Sequence, residues 1–544
     1  MPEDRIASEV CRQWNKADSD AATTMALYQE VADHCFEREN WITKTSGAGE
    51  DKSKDIIDPS GRLALQDMVA GVFSSFVPVG SLFFRLLAQE PQINDIGRVA
   101  SYLNRLTALV HQEMMRSNFM TEFSEWLYSL IAFGTGNIYS GWDWERMRLL
   151  FRDWDVGNFR FGVDAYGYPS WCLIKWQYTA EQAYEEFGDD AGEQVVKFAK
   201  DVDKSSEKFT FIWRVQKRKN RDTTKDNNLN WTWEEVCVNE KEKKVVKESG
   251  YRRFPYHISR WTLTSQETWG RGQGTIALTA SKMLQAQNRD MLLAAALANK
   301  PPMEVLAEFE GKPNIAPGGR NNVYQAGTIK AIDRGLQGNF PITLDMVNRT
   351  QELIDKCFFR HVFAPLENLT GDRRTTLEIQ ERTKEGLIRL ISPVSRIQNE
   401  GLAGLIENCA MLCIENYLIE PPPPELNVIK IDYLGRLAKA LQEQQVDAFM
   451  RYANFSIQMD AIEPGFTKKS INLKRAGRRM ATTFGMNEGD LNTEEEIAAI
   501  EQQEAAAQQA QQMAMAAETM GKAYKNTSTA AEEGSPAEAL MSQV

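Results

Sequence analysis

Apolar side chains recur at helical spacing through Val99, Leu103, Leu106, Val110 and Met114, and again through Phe123, Trp126, Leu127 and Leu130. Steps of three and four residues put such positions on one face of a helix, so 95–130 predicts helices with one buried stripe. A more polar helical pattern covers Ile6–Trp41, and the apolar segment 62–77 follows it after the loop KTSGAGEDKSKD. Between 158 and 262 the period shortens to two. Phe209, Phe211, Trp213 and Val215 alternate in KFTFIWRV, as do Trp231 and Trp233 in NWTWEEVCV. The charged stretch QKRKNRDTTKDNN between them predicts a hairpin loop. One helical stretch, 179–202, interrupts these strands.

Residues 275–299 are helical again, and from Met291 to Ala298 they are Ala, Leu and Met on every side. A helix apolar all round must be covered all round. The chain offers few other long apolar helices for this, so Met283, Leu284, Met291, Leu292, Leu293 and Leu297 are expected to touch other copies. Pro301 and Pro302 end the helix. The segment 300–345, with Pro313, Pro317, Gly318, Gly319, Gly327, Gly335 and Gly338, reads as turns and short strands. A second helix, 343–363, runs back. After the loop APLENLTGDRR (364–374) a helical pattern extends over 375–419 with Pro393 inside it, where a kink is expected. PPPP (421–424) forces an extended spacer before the strand LNVIKIDY. More helices follow to 485. The Ala-, Gln- and Glu-rich tail from 493 ends in NTSTAAEEGSP, too polar to build a core.

At 544 residues the chain is long enough for roughly three or four domain-sized units. Its 42% hydrophobic and 25% charged residues are those of an ordinary globular protein. A formal net charge of -12 excludes a protein that coats nucleic acid by neutralising phosphates, a task that concentrates Lys and Arg. Contact with DNA at a few places is not excluded. Seven scattered cysteines, and an N-terminal stretch MPEDRIASEVCRQWNK without an apolar run, predict synthesis in a reducing cell interior. The uncharged run Met68–Phe84 is short for a membrane span and is interrupted by Gly71, Pro78 and Gly80. A buried helix and a turn are expected there, in a soluble protein without a membrane anchor.

The string Gly270-Arg271-Gly272-Gln273-Gly274 precedes the 275–299 helix, where a phosphate cradle would sit. A dinucleotide fingerprint needs G-x-G-x-x-G after a buried strand, and an acidic residue at the end of a second strand. Here the third glycine comes one residue early and one long helix follows, so a plain turn is expected. Near Lys52-Ser53, Ser46 and Asp51 stand where a phosphate loop needs glycines, and a carboxylate there repels phosphate. Cys357 and His361, and likewise Cys409 and Cys413, are four apart and could in principle surround zinc. Phe358, Met411 and Ile414 mark apolar surroundings, where cysteine serves as a small core residue. Four histidines leave few general bases. His257 in the strand FPYHISRW, and His34 and His111 on helices, belong to no nucleophile motif. Arg373-Arg374 at a loop-to-helix junction are either a solvated helix start or a positive charge offered to a phosphate backbone.

Five segments, in order, resemble the portal, or head-to-tail connector, proteins of short-tailed (podovirus-type) bacteriophages. GRLALQDMVAGVFSSFVPVGSLFFRL is similar to that family's early helix and turn, and FPYHISRWTLTSQETWGRGQGTIAL to its strand and glycine-rich turn into the stem helix. PGGRNNV resembles a turn of its clip. RRTTLEIQERTKEGLIRLISPVSRIQNEGLAGLI resembles its Thr-rich start and Pro-kinked long helix, and IDYLGRLAKALQEQQVDAF its later strand and Leu-Ala segment. Gln273 departs from the family's usual Pro and Leu377 from a small residue, and 490–544 is not diagnostic.

The resemblance implies an α+β, mainly α subunit with an α/β wing (1–270), a stem helix (271–300), a small α/β clip (301–342) and a second stem helix (343–363). A channel loop (364–374), a long kinked wing helix and strand (375–433), a helical crown (434–490) and a C-terminal helix and tail (491–544) follow. It implies a homo-oligomeric ring, normally of twelve subunits, at one capsid vertex of the virion. The ring would be assembled in the host cytoplasm and pass double-stranded DNA during packaging and ejection, without sequence readout. Asn368, Thr370, Arg373 and Arg374 would line the channel, and Gly270, Gly272 and Gly274 would turn the chain into the stem. Pro317, Gly318, Gly319 and Arg320 of the clip would receive the terminase large subunit and later the tail adaptor and tail tube proteins. Scaffolding or internal core proteins and the major capsid protein are further implied partners. No catalytic residue, cofactor or metal is implied. Two rival readings stand beside it: a cofactor-using enzyme with 270–274 as its nucleotide site, and a capsid-interior structural protein prompted by the Ala/Gln tail.

Overall fold

Two helices open the chain, α1 (Pro2–Cys35) and α2 (Ser60–Phe76), before Pro78 and Gly80 turn it into β1 (Phe84–Ala88). The computed structural model describes residues 2–35, 42–44, 56–299 (without 79, 95, 222, 223, 225, 265 and 266), 303–305, 312, 314, 323, 329–331, 340–363, 389–434 (without 427), 449–460 and short stretches from 470 to 519. The run Met68–Phe84 is thus a buried helix, a turn and the head of a strand. Among the described residues no helix is long and apolar enough to cross a membrane. α3 (Pro91–Asn94), α4 (Gly97–Arg116) and α5 (Phe119–Ala132) follow. Val99, Leu103, Leu106, Val110 and Met114 of α4, and Phe123, Trp126, Leu127 and Leu130 of α5, are buried as their spacing predicts.

Strands begin earlier than the alternation indicates. β2 (Thr135–Asp143) and β3 (Arg148–Trp154) precede residue 158. Most of β2 is buried on both faces, so no polar–apolar alternation marks it in the sequence. β4 (Phe159–Val163), β5 (Pro169–Thr179), β6 (Lys208–Lys217), β7 (Trp233–Asn239), β8 (Lys244–Tyr251) and β9 (Tyr256–Arg260) complete two antiparallel sheets, ordered β3-β2-β9 and β4-β5-β6-β7-β8. The five-stranded sheet is covered on both faces. α1 lays Ala7, Val10 and Trp14 against Leu173, Ile212, Val236 and Val238. On the other face α6 (Ala180–Phe187) and α7 (Glu193–Ala199) bring Ala183, Phe187 and Val195 to Phe209, Phe211 and Cys237. The helix expected over 179–202 is therefore two. Gly188 and Gly192 take φ of +58° and +117°, open to glycine alone without strain, and re-aim the chain between them.

α8 (Gln273–Asn299) leads to the antiparallel pair β10 (Met303–Val305) and β11 (Ile329–Ala331), and α9 (Phe340–Cys357) returns beside α8. The single helix expected over 343–363 breaks. Phe358 and Phe359 form a turn, Phe359 at φ +51°, and α10 (Arg360–Phe363) resumes. The described part of the 375–419 pattern is Ile391–Arg396, a π-helical turn Ile397–Leu402, and Ala403–Glu415; residues 375–388 lie outside the described residues. Pro393 falls in the first turn of this stretch, where its missing N–H forfeits no helical bond, and the irregularity sits at 397–402 instead. Past Pro421–Pro424, β12 (Ile429–Tyr433) pairs antiparallel with β1, and Arg85 meets Asp432 at 3.2 Å across 347 positions of chain.

The fold is mixed α/β, mainly α, in two compact units, Met1–Ala440 and Leu441–Val544. In the first, one core gathers residues of α2, α4, α5, the three-stranded sheet, α8, α9 and Ala403–Glu415. In the second, 449–460 is helical with Met450, Tyr452, Phe455 and Ile457 exposed.

Candidate functional site

The glycine-rich turn ahead of α8 is a backbone-on-backbone contact. A Cβ on Gly272 would lie 2.5 Å from the Ile131 carbonyl oxygen and 2.7 Å from that of Ala132. One on Gly270 would lie 2.0 Å from the Gly134 oxygen. The turn is stitched to the end of α5 and the start of β2. Gly270 N donates to Thr135 Oγ1 (2.9 Å), Arg271 N to the Thr262 carbonyl (2.8 Å) and Gly272 N to the Phe133 carbonyl (3.0 Å). Tyr28 Oη donates to the Gly270 carbonyl at 2.5 Å. An anion cradle needs amides that point at the ligand. These three are already engaged within the protein and are not open to a pyrophosphate. None of the three glycines has positive φ. Close approach, rather than the conformational freedom expected of a hand-over turn, explains Gly270 and Gly272. Gly274 is buried in the first turn of α8.

The turn delivers α8, whose two faces differ. Its inner face buries Ala277, Leu278, Ser281, Leu284, Gln285 and Asn288. Leu284, expected from the sequence to touch other copies, is 1% exposed within its own chain and serves that core. The outer face carries Ile276, Thr279, Met283, Ala286, Asp290 and Leu293, all exposed, at alternating steps of three and four. That is the spacing of a helix-packing seam, and it has one charged member, Asp290. Leu292 and Leu293 are 57% and 58% exposed, Met291 is half-buried, and the Leu297 side chain lies outside the described residues. α9 adds exposed Leu344, Met346 and Leu353.

A polar junction fixes where the hairpin leaves the body. Asp58, just ahead of α2, accepts from Asn288 Nδ2 and Gln351 Nε2 through Oδ2, each at 3.0 Å. Gln285 Oε1 accepts from the amides of Ile57 (2.8 Å) and Asp58 (3.0 Å). Thr350 Oγ1 donates to Gln287 Oε1 at 3.2 Å, joining α9 to α8. Gln273, with its amide turned to satisfy both neighbours, donates to the Cys357 carbonyl (3.0 Å) and accepts from Trp261 Nε1 (3.2 Å). The residue that departs from the resembled pattern thus ties the start of α8 to the end of α9.

Behind the hairpin the π-turn locks onto β9. Arg260 donates through N, Nε and Nη2 to the Glu400 carboxylate at 2.9–3.1 Å, and Arg396 Nη1 joins at 3.1 Å. His257, buried on β9, holds Ser140 Oγ at 2.7 Å, and Asn408 Nδ2 donates to that hydroxyl at 2.8 Å. Burial pushes the His257 imidazole down to about 3. The imidazole is thereby held neutral at neutral pH, hydrogen-bonded to Ser140 inside the β2–β9 seam.

A cleft of about 750 Å³ is lined by Trp142, Trp144, Trp231, Tyr251, Arg252 and Asn408 among others. On its floor Tyr251 Oη donates to Glu235 Oε1 at 2.5 Å, and burial raises the carboxyl of Glu235. Cys409 and Cys413 are buried in the core, and among the described residues no group of three or more His, Cys, Asp or Glu is placed to hold a metal. Asn368, Thr370, Arg373 and Arg374, expected to face a channel, and Pro317, Gly318, Gly319 and Arg320, expected to receive partners, lie outside the described residues.

The hairpin is thus fastened to the body by a polar junction and leaves the outer seam of α8 exposed. The chain belongs to the bacteriophage head to tail connecting protein family, whose match spans residues 7–491. It is similar to the probable portal protein of Bordetella phage BPP-1, 25% identical over 453 residues that cover 80% of this chain and 81% of that one. It is also similar to the portal protein of Salmonella phage epsilon15, 22% identical over 475 residues, 85% and 84% of the two chains. Among solved structures, a chain from the virion of a native gene transfer agent particle aligns over 74% of this chain and 89% of its own, at 12% identity and a TM-score of 0.32.

Proposed function

We propose that copies of this chain form a phage portal, a ring at one vertex of the capsid through which double-stranded DNA is packaged and ejected. Membership of the connector family supports the portal role, at the head–tail junction of the virion. The ring reading is carried by one observation: the exposed apolar seam of α8, opposite a face already buried in its own chain. In this reading residues 1–270 are the wing, α8 and α9 the two arms of the stem, and the β10–β11 region the clip. Residues 364–374 form the channel loop, 375–433 return to the wing, and 434–490 make the crown with 491–544 as its tail. Met283, Leu292 and Leu293, joined by Ile276, contact the neighbouring stems, while Leu284 stays in its own core. The subunit is a structural part and not an enzyme, and needs no cofactor. A terminase docked on the clip supplies the work of packaging, and tail adaptor and tube proteins take its place afterwards. Scaffolding or core proteins and the capsid shell surround the wing and crown.

Replacing Leu292 or Leu293 with Asp tests the seam. A carboxylate forced into an apolar interface without a partner costs several kcal/mol, repeated at every contact of the ring. Negative-stain images and mass photometry of each variant are expected to show subunits or fragments in place of rings, while the far-ultraviolet circular dichroism stays that of the parent. Normal rings from both variants would remove α8 from the interface. Rings lacking an axial hole would favour the capsid-interior reading instead.

A further inference from the structure

Phe359 lies at φ +51°, in the left-handed region that an L-residue with a ring side chain disfavours. It interrupts a stretch, TLDMVNRTQELIDKCFFRHVF over 343–363, that contains neither Gly nor Pro and whose pattern runs on as one helix. The bend is tied to α2. Arg360 Nε donates to Asp67 Oδ2 at 2.8 Å while its Nη1 lies 3.5 Å from Asp355 Oδ1, so one guanidinium spans α2 and the last turns of α9. The ring of Phe363 fills a notch at Gly71, where a Cβ would meet ring carbons at 2.2 and 2.4 Å. Phe358 and Val362 close the underside, 0% and 4% exposed. The bend itself carries Phe359 N to Lys356 O (3.2 Å) and Val362 N to Phe359 O (2.8 Å), the short-range bonds that replace the four-residue ladder of a continuous helix.

We infer that Lys356–Phe363 is a two-position latch. In the bent position α10 sits on α2. In the straight position α9 runs on through Phe363, which relieves the Phe359 backbone and restores the four-residue ladder but gives up the Asp67 and Gly71 contacts. α2 decides between them. Asp58 at its head grips Gln351, and Asp67 and Gly71 along it grip Arg360 and Phe363, so one helix holds α9 at two places. The latch sets the direction in which the chain leaves α9, and any displacement of α9 along α2 must strain or open it.

The test measures α9 directly, in labelled chain diluted into an excess of unlabelled chain so that spin pairs between copies do not contribute, and its failure is therefore separate from failure of the portal reading. Nitroxide labels are placed on Asn348→Cys and His361→Cys in the full chain with Cys11 and Cys357 replaced by Ser, and pulsed electron paramagnetic resonance reads their separation. Thirteen residues of unbroken helix span about 20 Å between Cα atoms. The parent is expected to give one distribution, set by the bend. Gly71→Ala and Asp67→Asn are each expected to add a second population at the continuous-helix separation. Adding Phe359→Gly, which removes the penalty on positive φ, is expected to shift that ratio back toward the bend by about tenfold. An unchanged single distribution in both α2 variants overturns the latch, as does a broad spread without the helical separation, which would mean simple fraying. Should Gly71→Ala not fold, Asp67→Asn decides alone.

Discussion

Gly272 shows how a residue can be singled out correctly from sequence and for the wrong reason. Three glycines in five positions suggest a phosphate cradle or a flexible turn, but the constraint is two carbonyls of α5 lying where a Cβ would go. Sequence reveals that a position is glycine; it does not reveal what passes close to it. Gly272→Ala is therefore expected to destabilise by about 1–3 kcal/mol through forced displacement of α5 from α8. Gly97, where an added Cβ would meet nothing within 4 Å, is the control, and Gly97→Ala should leave stability unchanged or raise it by about 0.4–1 kcal/mol. Thermal denaturation of the two variants checks the contrast. His257 gives a second residue-scale outcome. Its folded pKa, about 3, lies below the ordinary imidazole value near 6.5, so the folded state binds the proton less readily than the unfolded chain. Stability from this group is complete above about pH 6.5 and is lost as pH falls toward 3, at about 1.4 kcal/mol per pH unit. Urea titrations at pH 7 and pH 5 should differ by about 2 kcal/mol more in the parent than in His257→Asn. Equal pH dependence in the two would show that His257 is not held neutral.

At the scale of elements, legibility depends on whether one face of the element stays wet. α4 and α5 bury a single stripe, and their spacing announces it. β2 is buried on nearly both faces, so its sequence carries no alternation and hides it. The 179–202 and 343–363 helices read as single pieces because periodicity survives a break of one or two residues; Gly188 and Gly192 mark the first break, and nothing local marks the second. The irregularity at 397–402 is expected at Pro393 because proline is visible and the cause is not. A distant contact coincides with it: Glu400 in the π-turn meets Arg260, 140 positions away, and no local signal announces that pairing. The pair is buried, with side chains 4% and 9% exposed, so removing one partner leaves an unpaired charge inside. Glu400→Ala is expected to cost about 3–5 kcal/mol. Hydrogen exchange should quicken first in β9 and 397–402, and a uniform loss of protection across the chain would contradict a local lock.

For the whole molecule, the decisive quantity is a balance of charge that no single element displays. With 75 acidic against 63 basic residues the subunit carries -12, and the proposed ring would multiply that charge with every copy it gathers. DNA gripped by released counterions would need many lysines and arginines facing the phosphates, and each such contact lengthens the time a genome segment stays put. A channel that must let a whole genome slide has the opposite requirement, and like charge on wall and duplex meets it. In the proposed portal the apolar seam of α8 and the acidic balance would act at different levels: the seam would hold copies to one another, and the charge would keep them from holding DNA. Purified rings titrated with linear double-stranded DNA are expected to form no stable complex at physiological salt. Lowering the salt should reveal at most weak binding, with a shallow slope of log affinity against log salt, since few cations contact phosphate. Tight binding with a steep salt slope would mean that a dense cationic surface faces the duplex, and the low-friction account of this chain's charge would fall while its assembly seam stood.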